Sequence, residues 1–235
     1  MLRFLFDEPE RAIEGRHGET VRLMEQFISQ LHSKVAAGKD VDHKLRTYEI
    51  WTRGLISSLN ELEQSHYATL RFKQKIKSSS VSQMQSDEYL MYQRYVYFDK
   101  NAFIRVFALL DKIGILLNDL LAMKTERIKP HFSYFTVLRN MRERGVHRPL
   151  TGGLDEVKGL TQEPMARLRK RRNAEIHYMN SEMLDDLVQS HKGYGLEVKL
   201  ENIMAQSQDL AAGVAMVTDT LYLTFQYACG YIRKR

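Results

Sequence analysis

Apolar residues return every three or four positions along most of this chain. Between Val41 and about Ile76 the recurring set is Leu45, Tyr48, Thr52, Leu55, Leu59, Leu62, His66 and Leu70. Between Ser86 and Met123 it is Phe103, Val106, Leu110, Ile113, Leu117 and Leu120. From Leu196 to Tyr231 it is Leu200, Ile203, Ser207, Leu210, Val214, Val217, Leu221 and Phe225. Such spacing lines one face of an α-helix, so three long helices are expected, with a shorter one over 17–37. No alternation of apolar and polar residues is long enough to predict a strand.

The breaks between these stretches are short. "GKDVD" (38–42) separates the first two helices and offers Asp40 or Asp42 as a cap. "KSSSVSQMQSD" (77–87) is a serine-rich loop, with Ser86 expected to cap the next helix. Pro130 is expected to end the third helix and permit a new one over 131–144. "RGVHRPLTGG" (144–153) is expected to be a loop, and "GYG" (193–195) precedes the last helix. Short connections between long helices favour antiparallel neighbours. The expected fold is all-α: one domain, an up-and-down bundle of long antiparallel helices with shorter helices inserted before the last.

Composition narrows the function classes. Apolar residues are 43% of the 235, enough for a sizeable core, and only four are proline. The single cysteine, Cys229, excludes an internal disulfide framework and a cysteine-based zinc site, and a reduced cytosol fits it best. "MLRFLF" is too short for a signal-peptide core, and no window reads as a membrane span. The net charge of +6 is moderate. Its clustering is more informative: Arg167, Arg169, Lys170, Arg171 and Arg172 fall within six positions.

That cluster belongs to a predicted helix, "TQEPMARLRKRRNAEIHYM" (161–179), with Thr161 as cap and Pro164 in the first turn. On a helical projection Met165, Leu168, Arg172, Ile176 and Met179 share a narrow face, while Lys170, Asn173 and His177 share the adjoining one. Arg171 points elsewhere in this projection. A guanidinium on an apolar seam needs an anion, because an unpaired buried charge is costly. The partner is either a carboxylate on another helix or a phosphodiester held in bidentate geometry. A histidine one turn away moves protons near neutral pH.

"RNAEIH" resembles the signature of the HEPN domains (higher eukaryotes and prokaryotes nucleotide-binding), an all-α family marked by an Arg, four to six residues, and a His, often with a polar residue after the Arg. Here these are Arg172, Asn173 and His177; Arg171 also satisfies the spacing. Arg11 with His17 and Arg142 with His147 match the spacing too, but glycines interrupt them and no Asn follows the Arg. The resemblance implies a HEPN-like bundle over about 87–235, with the helices of about 1–80 additional. It implies a metal-independent ribonuclease acting as a homodimer, as many members are, with toxin or defence roles and a cognate antitoxin or regulatory protein. Carried over, His177 would move protons as the ribose 2′-OH attacks phosphate, Arg172 would stabilise the transition state, and Asn173 would orient. Arg167, Arg169, Lys170 and Arg171 would attract the RNA backbone. No cofactor is implied. The alternative is a non-catalytic HEPN-like module binding nucleotide, RNA or a protein.

Other candidates are weaker. Glu63 with His66 and Glu14 with His17 have the Glu-x-x-His spacing of di-iron bundles, but the lone glutamates such a site also needs are missing from the apolar stripes, so no metal site is expected. The aromatic run "EYLMYQRYVYF" (88–98) could stack on bases, but at helical spacing it reads first as core. Asn101, just beyond it, is a candidate polar functional group.

Overall fold

The computed structural model describes residues 2–9, 14–177 and 202–234. Among these, seven α-helices occur and no strand: α1 Gly15–Ala36, α2 Lys44–Lys73, α3 Ser86–Leu120, α4 Tyr134–Glu143, α5 Arg148–Leu160, α6 Gln162–His177 and α7 Ile203–Arg233. Short 3-10 turns lie at Leu2–Phe6, Val81–Gln83 and Thr125–Arg127. Met179, the "GYG" loop and the helix start expected at Leu196 lie outside the described residues.

Cross-helix pairs give the directions. Tyr48 hydrogen-bonds Asp119, Lys112 reaches Ser58, Arg105 pairs with Glu61 and Ser65 meets Asn101, so α2 and α3 are antiparallel. Thr20 faces Thr218 and Phe27 packs edge-on against Phe225, so α1 and α7 run in the same direction. α6 runs down between α3 and α7, since Arg167 meets Asp209 and Arg171 meets Asp99. The path is therefore up, down, up, a crossing through α4 and α5, then down and up again, an up-and-down all-α bundle. The main core joins all seven helices through fully buried side chains such as Phe27, Leu59, Phe103, Ile113, Tyr134, Leu154, Leu168 and Phe225.

Several local expectations are corrected. Both Asp40 and Asp42 serve the start of α2: Leu45 N–H donates to Asp40 Oδ1 at 2.9 Å and Lys44 N–H to Asp42 Oδ1 at 3.3 Å. Ser86 is the first residue of α3 rather than its cap. The serine loop is instead tied down by Glu88, which accepts from the Ser78 and Lys77 N–H groups and is held below the usual carboxylate range by them. Pro130 does not stop α3. The helix has already ended at Leu120, where Ala122 and Lys124 turn left-handed and Asn118 Oδ1 caps the Thr125 N–H at 2.8 Å. The second half of the expected 144–153 loop is helical, because Pro149 sits in the first turn of α5, where no N–H is required. Thr161 does not cap α6; its hydroxyl donates back to Val157 O and it closes α5. Two of the run's four tyrosines are core: Tyr92 and Tyr95 join Ala68 and Phe72 in a second cluster, which Leu2, Phe6 and Ile203 cover, while Tyr97 is exposed. Asn101 bridges α2 and α3, its Oδ1 accepting from Ser65 and Arg105.

Two close approaches require glycine. At Gly114 a Cβ would lie 2.8 Å from Tyr134 Cα, which lets α4 start against α3. At Gly213 a Cβ would lie 2.7 Å from Leu168 Cδ1, so the missing side chain is the notch that admits α6 between α3 and α7. Gly213→Ala is expected to lower the unfolding free energy by about 1–3 kcal/mol in a denaturant titration; an unshifted midpoint would mean that Leu168 swings aside at no cost. The Cys229 thiol, buried with Sγ donating to Leu23 O, is pushed up to about 11 by desolvation. At pH 8 only about one thiol in a thousand is then ionised. Alkylation of the folded protein should accordingly be far slower than that of the unfolded chain, with comparable rates ruling out this burial.

Candidate functional site

α6 is seated in two ways along its length. Met165 and Leu168, in its first half, are buried against the core, Leu168 in the Gly213 notch, and Arg167 beside them adds a charge contact. Its second half carries glutamate and basic residues, so it docks by charge. Arg167 grips Asp209 on α7 bidentately, at 2.8 and 2.7 Å. Arg171 pairs with Asp99 on α3, and Lys100 on α3 pairs with Glu175 at 2.8 Å. Asp99 is 1% exposed. Desolvation raises its carboxyl pKa, and Arg171 and Lys100 pull against that rise.

Three guanidinium groups also rest on aromatic rings. Arg171 Cζ lies 4.8 Å from the Phe103 centroid, Arg172 Cζ 5.0 Å from Phe107, and Arg169 Cζ 4.8 Å from Phe135. Phe103 and Phe107 stand one turn apart on α3, so the two neighbouring arginines take successive rings. These are cation–π contacts in a partly desolvated place.

The neighbouring arginines are not equivalent. Arg171, which the projection turned away, faces α3, because residues three and four beyond Leu168 share its face. Arg171, Arg172 and Glu175 are therefore all on or beside the docked side. Ile176 falls off it and is 51% exposed. Arg172 is half-buried, and among the described residues no carboxylate forms an ion pair with it. Its Nε is a buried donor without an acceptor. Asp111 on α3 feels its charge: desolvation raises the Asp111 pKa, and the Tyr134 N–H, Arg172 and Arg169 lower it.

Asn173 is half-buried, and His177, the last described residue of α6, is exposed. His177 lies roughly 180° around the helix from Leu168 and roughly 140° from Arg172. A single chain therefore groups Arg172 with the aromatic face of α3 and leaves His177 on the outer side. Arg169 and Lys170 are exposed and carry no ion pair among the described residues; Arg167 and Arg171 are already paired within the chain.

Asp99 is the residue that sequence reasoning passed over. It stands on the apolar stripe of α3, four residues from both Tyr95 and Phe103. A charge on an apolar seam demands a counter-charge on α3 as on α6, and that is the signal in the sequence that marks Asp99. His17 and His66 line a small cavity with Leu59 and Leu62, while Glu63 pairs with Arg3 at 2.5 Å. Among the described residues no group of three or more metal-binding side chains occurs, and no helix is long and apolar enough to cross a membrane.

A model of the HEPN family described as Cthe2314-like HEPN matches residues 51–229. The chain belongs to the HEPN family. The matched stretch opens within α2 and contains all of α3 to α6, including Arg172, Asn173 and His177. No curated protein and no solved structure matches this HEPN chain.

The Asp99–Arg171 pair has a direct test. Asp99→Asn leaves a buried guanidinium without its counter-charge and should destabilise the protein by about 3 kcal/mol. The double variant Asp99→Leu, Arg171→Met removes both charges and should recover most of that loss. Equal stability of single and double variants would show that the pair is not what seats α6.

Proposed function

We propose that this HEPN protein is a metal-independent endoribonuclease. It cuts RNA by attack of a ribose 2′-OH on the adjacent phosphate, leaving a 2′,3′-cyclic phosphate and a 5′-OH. The observation that carries the reading is the division between the two arginines. Arg171 is paired with Asp99, whereas Arg172 has no ion pair among the described residues, and this supports taking Arg172 as the arginine that meets an incoming anion.

In this reading Arg172 stabilises the charge that builds on the pentavalent phosphorus. It does so from a partly desolvated ring face, where such stabilisation is strong. His177 takes or returns a proton at the 2′-oxygen or the 5′-oxygen. The Asn173 amide orients the phosphate or the ribose. Because Arg172 and His177 leave α6 on different sides, a second copy of the chain completes the site. A toxin or defence role, with a cognate antitoxin or regulatory protein as partner, follows from the resemblance rather than from the geometry.

The test is cleavage of a mixed RNA pool in excess EDTA by the wild type and by His177→Ala. Cleavage with cyclic phosphate ends is expected from the wild type, with a loss of about 100-fold or more in the variant. Equal cleavage by both sinks the proposal. RNA binding without cleavage by either would favour a non-catalytic binding module.

A further inference from the structure

A groove of about 560 Å³ lies between α4, α5 and α6. Lys129, Arg139, Arg142, Lys158 and Arg169 line it, and none of its lining residues is acidic. Lys129, Lys158 and Arg169 carry no ion pair among the described residues. Arg139 and Arg142 have only long pairs, to Glu143 at 3.9 Å and Asp155 at 3.7 Å, with both arginine side chains about half exposed. Five positive groups that converge on one concavity repel one another. An anion that enters relieves that repulsion and is drawn in by it.

The groove adjoins the candidate site. Arg169 belongs to its lining, and three residues on stands Arg172, about 4.5 Å further along the α6 axis. Asp111 on α3 feels the charge of both arginines. The shape speaks for a strand rather than a small nucleotide. Charge is spread over three helices and the loop before α4, in excess of what one monophosphate carries. The one aromatic ring in the lining, Phe135, already has Arg169 over it, so it offers no open platform for a base.

We infer that this groove holds the phosphate backbone of the single-stranded RNA flanking the bond to be cut, and feeds it along α6 past Arg169 to Arg172. The inference rests on the ribonuclease reading for the identity of the strand. It adds Lys129, Arg139, Arg142 and Lys158 to the residues that bind it.

The experiment uses the full-length protein and a fluorescent 2′-O-methyl RNA, which lacks the attacking hydroxyl and so reports binding alone. Arg139→Gln combined with Lys158→Gln is compared with Lys39→Gln combined with Lys44→Gln, an equal loss of charge at the α1–α2 turn. The groove variant should bind about tenfold more weakly at low salt, and its log–log salt slope should fall by about 1.4, or 0.7 for each lost phosphate contact. The control pair should change affinity less than twofold. Equal losses in both variants, or none in the groove variant, overturn the inference. So does displacement of the probe by inorganic phosphate as effectively as by unlabelled RNA, which would mark a small-anion site. Cleavage of ordinary RNA by the wild type and His177→Ala, run alongside, separates the two ideas. Groove-dependent binding without cleavage retires the nuclease and keeps the groove; His177-dependent cleavage with binding unaffected by the groove changes does the reverse.

Discussion

Everything at the candidate site depends on one buried charge. Asp99 sits on an otherwise apolar strip of α3, and a carboxylate there is tolerable only with a cation against it. Arg171 is that cation. With Arg167–Asp209, Lys100–Glu175 and the Leu168 notch, the pair fixes which side of α6 meets α3 and α7. Arg172 is laid over Phe107, Glu175 meets Lys100, and His177 is carried to the outside. The basic run of α6 is thus two populations: Arg167 and Arg171 are paired with carboxylates of α7 and α3, while Arg169, Lys170 and Arg172 carry no ion pair among the described residues.

The bundle was legible in the sequence because long apolar stripes dominate it. Leu55, Leu59 and Leu62, or Phe103, Val106 and Leu110, fall at spacings that only a helix places on one side, and all six are buried. The errors came where local chemistry has two outlets. A proline reads equally as a stop or as a first turn, so Pro130 suggests the end of a helix that a left-handed turn has already closed. Pro149 opens a helix in what looked like a loop. Thr161 had the right residue type for a cap, but a hydroxyl that can bond back to Val157 need not serve the helix ahead of it.

The site was half legible. Spacing on α6 picked out Arg172, Asn173 and His177, but offered no means of choosing between Arg171 and Arg172. What distinguishes them in the structure is Asp99, 72 positions before Arg171 in the chain, which among the described residues pairs with Arg171 alone. A projection built on four-residue steps followed Leu168 to Arg172 and missed the three-residue step to Arg171. The groove was less visible still. Its cations come from α4, α5, α6 and the preceding loop, and none of those segments is unusually basic over a short window except α6.

The second aromatic cluster, at the far end of α3, has a bearing on this chemistry. Phe6 packs edge-on against Phe72, and Tyr95, beneath them, is one turn from Asp99. Leu2, Phe6 and, from the first turn of α7, Ile203 therefore cover that end of the bundle. Field strength between charges rises as the medium around them dries. Whatever keeps water from that end of the bundle therefore bears on the grip of Asp99 on Arg171 as well.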